Sequence, residues 1–62
     1  MRFKVLINWS GEVLTFLTCT DSERKALKNA IRQCAKKVGM SERFVRNYVM
    51  EDNKRRWEVN NA

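Results

Sequence analysis

Thirteen Lys and Arg side chains against seven Asp and Glu leave this 62-residue chain at +6, and the spacing of the cations suggests their chemistry. Lys25, Lys28, Arg32 and Lys36 recur at three- and four-residue intervals, which draws a basic stripe along one face of a helix. Arg24 and Lys37 join the same segment, and no acid falls between Glu23 and Glu42, so the stripe lacks the i to i+4 Glu-Lys pairs common on solvated helices. A second group is Ser41, Arg43, Arg46 and Asn47, and a third is Lys54, Arg55 and Arg56 beside Trp57. These side chains share one chemistry, the recognition of anions. Guanidinium and ammonium groups hold phosphates or carboxylates, and Arg and Asn also match the edges of bases. The plainer reading of a basic stripe is a solvated outer face kept soluble by like charges, the usual outcome for a single amphipathic helix.

Other chemistries lack their parts. His is absent, and Cys19 and Cys34 have neither metal-ligand spacing nor a basic partner, which removes the usual zinc sites and the Ser-His and Cys-His nucleophiles. The acids Glu12, Asp21, Glu23, Glu42, Glu51, Asp52 and Glu58 are scattered, mostly at turns and helix starts, where capping and solvated charge are their expected roles. The expectation is a protein that is not an enzyme and needs no metal or cofactor. Both Cys sit among apolar neighbours and read as reduced, partly buried thiols, a disulfide being the unsupported alternative. Charges interleave the first nine residues with no small-residue cleavage site, so no signal peptide is expected. No apolar run approaches the ~20 residues that cross a bilayer. The expected setting is a soluble protein of the cytoplasm with no membrane contact.

The elements that would position these groups form one α+β domain over residues 1–62. Phe3, Val5, Ile7 and Trp9 alternate with Arg2, Lys4 and Asn8, a strand with one buried face. Gly11 breaks the pattern and residues 13–19 resume it, which predicts a hairpin over residues 2–19 with a turn of two to four residues. Leu14 and Phe16 face one way and Val13, Leu17 and Cys19 the other, so the second strand reads as covered on both sides. Thr20 as a cap, with Glu23 completing a capping box, predicts a long helix over residues 21–38. Its apolar stripe is Leu27, Ala30, Ile31, Cys34, Ala35 and Val38, ended by Gly39 as a left-handed cap with Met40 folding back. Ser41-Glu42 opens a second helix over residues 42–50, with Phe44, Val45, Tyr48 and Val49 at helical spacing. The same residues are rich in strand formers and would alternatively form a hairpin with the last segment. Residues 54–59 alternate as a third strand, free to join an antiparallel sheet packed on the long helix. Trp9 and Trp57 read first as core and second as a platform for stacking bases; Phe44 and Tyr48 read as packing.

Residues 31–49 resemble the helix-turn-helix motif of DNA-binding regulators. Ala35 stands where that family wants a small residue at the helix crossing, Gly39 where it wants glycine four residues later, and Cys34, Val38, Met40, Val45 and Tyr48 at its apolar positions. The run Ala-Lys-Lys-Val-Gly-Met-Ser-Glu-Arg, followed by Val45-Arg46, is similar to bacterial and phage examples. The chain departs from the pattern in having a hairpin where a supporting helix normally precedes the motif, and Phe44 where a small or polar residue is commoner. The resemblance implies a second helix that enters a major groove, with Ser41, Glu42, Arg43, Arg46 and Asn47 on its exposed start and outer face. Arg43, Arg46 and Asn47 would then read bases and Ser41 would meet phosphate, while Lys25, Lys28, Arg32, Lys36, Lys37, Lys54, Arg55 and Arg56 would supply salt-sensitive affinity.

Two functions therefore compete on the same charges. One is a small basic nucleic-acid-binding module, DNA ahead of RNA. The other is a phage or mobile-element type of interaction or inhibitor module that docks on an acidic protein. Open strand edges add a homodimer as a further expectation.

Overall fold

The computed structural model describes residues 1–51 and 55–62. Strands β1 (Arg2–Trp9) and β2 (Glu12–Cys19) are followed by helices α1 (Glu23–Val38) and α2 (Glu42–Val49) and by strand β3 (Trp57–Asn61). Ser10 at φ 53 and Gly11 at φ 88 make a two-residue turn with both centres left-handed, the geometry that matches the twist of a hairpin. Asn8 supports it locally, its Oδ1 accepting the Gly11 N–H at 3.0 Å.

The sheet order is β2-β1-β3, antiparallel throughout, so β1 lies in the centre with a strand on either side. Val5 sits between Phe16 and Val59, and Ile7 between Leu14 and Trp57, which gathers the apolar rows on one face. Both helices pack on that face, α1 across β2 and β1, and α2 against α1 and β1. Phe3, Val5 and Ile7 are sealed together with Ala26, Ala30, Cys34, Val45 and Val49. Trp9 and Trp57 are half-buried against this core.

The other face of the sheet is open. Val13 and Leu17 are 61% and 68% exposed, so β2 is covered on one side, not two. Two helices span only one face of three strands, and among the described residues no element lies on the other. Cys19 is accordingly exposed and Cys34 fully buried, where the sequence suggested two partly buried thiols; both are free.

Both helices begin and end on local signals. α1 is capped by Ser22, whose Oγ accepts the Lys25 N–H at 3.2 Å, and not by Thr20, whose hydroxyl instead donates to Asp21. Two side chains able to cap stand two residues apart, and the one in extended backbone immediately before the first turn takes the role. Ser22→Ala is therefore expected to lower stability by ~0.5–2 kcal/mol in urea denaturation, and Thr20→Ala by a few tenths at most. Gly39 at φ 73 closes α1, and the N–H groups of Gly39 and Met40 both donate to the Ala35 carbonyl. Met40 is itself half-exposed. Ser41 caps α2 through the Phe44 N–H at 3.1 Å, so residues 42–49 form a helix and not a strand. β3 runs Trp57–Asn61, later than the alternation over 54–59 suggests; Lys54 lies outside the described residues.

Candidate functional site

The apolar stripe of α1 seats it on the sheet, and this fixes where its cations project. Arg24, Lys25, Lys28 and Arg32 from α1, with Arg43 and Arg46 from α2, line one open cleft of about 650 Å³ between the helices. Its floor is apolar, made by Leu27, Ile31 and Met50, and its one acid is Glu42. The short Gly39-Met40-Ser41 connection holds the two walls together: it lets Val45 and Val49 reach the core one turn apart, which leaves Arg43, Arg46 and Asn47 on the outside.

An aromatic cluster sets the remaining freedom of α2. Tyr48 lies against Trp9 at 4.7 Å between ring centres, Phe44 meets the same indole edge-on at 6.3 Å, and the Tyr48 hydroxyl accepts the Ser10 N–H at 3.1 Å. Tyr48 thus packs as its sequence spacing suggested, while Phe44 remains 53% exposed. With its ring against these two, Trp9 serves as a brace between helix and hairpin.

Two cations of the cleft are engaged. Lys25 pairs with Asp21 at 3.1 Å, an i, i+4 pair, and Arg32 pairs with Glu42 through Nε at 3.1 Å. The stripe is therefore partly neutralised, because acids just beyond each end of α1 reach back to it. All four side chains are more than half exposed, so each pair is worth ~0–1 kcal/mol. Arg24, Lys28, Arg43 and Arg46 make no ion pair among the described residues.

No protein-family model, curated protein or solved structure matches the chain. The functional reading therefore stands on the arrangement of its own residues.

The remaining sequence candidates are dispersed. Lys36 and Lys37 are exposed in the last turn of α1, beyond the residues that line the cleft. Asn47 points outward from α2. Ser41 already accepts the Phe44 N–H, though its hydroxyl proton is still available to an anion. Arg55 sits over Trp57 at 4.8 Å and lines a shallow depression on the open face of the sheet, with Leu6 and Val13, away from the cleft. Arg56 is turned inward: its guanidinium stacks on Tyr48 at 3.9 Å and donates to the Tyr48 carbonyl at 2.7 Å and to Glu51 at 2.6 Å, with 15% of the side chain exposed. These three contacts, to Tyr48 and Glu51, make it a tie between the end of α2 and the start of β3.

Arg24 is the cleft residue that the helical stripe omits. It stands three residues before Leu27 and seven before Ile31, on the flank of the apolar stripe that faces α2. The spacing was readable, but which flank the second helix would occupy was not. Among the described residues no three His, Cys, Asp or Glu gather to hold a metal ion, and no helix is long and apolar enough to cross a membrane. Burial pushes the Cys34 thiol up from its ordinary value, which makes it a poor nucleophile.

Proposed function

We propose that this chain is a small nucleic-acid-binding module, duplex DNA ahead of RNA, working in the manner of the helix-turn-helix regulators that residues 31–49 resemble. The observation that carries the reading is the convergence of six cationic side chains from two helices on one cleft, with Glu42 the one acid that lines it. In this reading Arg24 and Lys28 track the phosphates, and the outward side chains of α2, Arg43, Arg46 and Asn47, enter the groove, where Arg43 and Arg46 neutralise phosphates as well as meeting base edges. A short, cationic, solvent-facing helix suits the width of the B-form major groove, whereas the deep and narrow major groove of duplex RNA excludes it.

A second reading has its own observation. The floor of Leu27, Ile31 and Met50 between cationic walls also suits an acidic amphipathic helix of a protein partner, apolar face down. Titrations of labelled duplex DNA, duplex RNA, single-stranded DNA and an acidic amphipathic helical peptide separate the two, with Met50→Ala beside the native chain. Met50 is 46% exposed, so its truncation leaves the fold intact. The nucleic-acid reading expects duplex DNA to bind tightest and Met50→Ala to leave that affinity unchanged. Duplex binding weaker than ~0.1 mM at physiological salt would overturn it. Tight peptide binding that Met50→Ala abolishes would establish the protein partner instead.

A further inference from the structure

We infer that the free edge of β2 pairs with the β2 edge of a second copy of this chain, joining two three-stranded sheets into one of six. The hydrogen bonds at the ends of the sheet show which backbone groups are available. The Thr20 N–H donates to Met1, on the β2 side of β1, while Asn8 and Arg2 bond to Arg56 and Ala62 on the β3 side. Odd residues of β1 therefore bond to the even residues of β2 that face them. The backbone groups of Val13, Thr15 and Leu17 are left pointing outward along the edge.

Three features select a second copy as the occupant. An antiparallel register centred on Thr15 sets Val13 against Leu17 of the partner and Leu17 against Val13, and all three outward residues fall at hydrogen-bonded pairs. The strand is thus complementary to itself, as a two-fold contact requires. Val13 and Leu17 lie on the open face of the sheet, 61% and 68% exposed, and this register covers each with the other. In a chain of +6 the strand carries one charge, Glu12 at its end, which this register sets opposite Thr18, so the paired strands bring no like charges face to face. The usual guards of an edge, Lys, Pro or a bulge, are absent from it. The other edge, β3, is shorter and carries Glu58, Asn60 and Asn61. A two-fold axis perpendicular to the sheet puts the helices of both copies on the same side.

Sedimentation equilibrium of the full chain tests this contact without reference to any ligand. The mass is expected to rise from the 7.4 kDa of one chain to twice that value between ~10 µM and ~500 µM. Thr15→Pro removes an outward N–H that β1 does not use, and is expected to stay monomeric with an unchanged circular dichroism spectrum. Val13→Lys/Leu17→Lys changes two exposed side chains, places like charges opposite one another in the dimer, and is also expected to stay monomeric. It decides the matter should the proline variant fail to fold. A native chain that is monomeric throughout, or a dimer that survives the double lysine variant, would overturn the inference.

Discussion

Ile7→Ala is expected to remove ~2–5 kcal/mol of folding stability. Ile7 is fully buried at the middle of the central strand, paired with Leu14 on one side and Trp57 on the other, with the helices above it. Truncation leaves a cavity that neither strand can close without breaking register. A chain of this length holds ~3–9 kcal/mol in all, so the variant stands near the edge of unfolding. The matching control is Lys4→Ala, on the same strand but on the exposed open face, expected to cost within ~0.5 kcal/mol. Urea denaturation at one low protein concentration reads both as changes in midpoint with the slope retained. Equal losses from the two substitutions would contradict a core confined to one face of the sheet.

The second large effect is electrostatic. Of the six cations in the cleft, Lys25 and Arg32 already hold acids, which leaves Arg24, Lys28, Arg43 and Arg46 to displace counterions from a nucleic acid. Four neutralised phosphates give a slope of log affinity against log salt near ~−4, a loss of roughly a hundredfold between ~50 and ~200 mM salt. Arg43→Ala/Arg46→Ala is expected to reduce that slope to ~−2. It should also erase ~1–3 kcal/mol of discrimination among duplex sequences for each bidentate base contact removed. Lys36→Ala, at the end of α1, weakens all sequences alike. Glu42→Gln releases Arg32 and steepens the slope by about one unit. Fluorescence anisotropy across a salt series measures all four, and an affinity indifferent to salt would remove the electrostatic basis of the proposed function.

Much of the fold was readable because its signals act over a few residues. Period-two alternation in residues 3–9 placed a one-faced strand, Gly39 took the left-handed position that ends a helix, and Ser41 stood where a cap was needed. The choice between helix and strand for residues 42–49 was harder, since Val, Phe and Tyr favour strands. The cap, together with burial of Val45 and Val49 one turn apart, outweighs that preference. That Ser22 and not Thr20 caps α1 was not readable, because capping propensity does not say at which residue the first helical turn begins.

The candidate site divides in the same way. Lys25, Lys28 and Arg32 were legible as one face of α1, and Arg43 and Arg46 as the outside of α2, because helical periodicity alone puts them there. Their meeting in one cleft, the addition of Arg24 and the inward turn of Arg56 depend on the side of α1 against which α2 packs. That is a contact between segments, and no local pattern contains it. The sequence by itself thus determined the elements, their apolar faces and the excess of positive charge, since these follow from neighbouring residues and from composition. Only the tertiary structure decided which face of β2 stays open, which cations share a cleft and which are spent on internal ties, because each depends on two elements packing at one angle and not another.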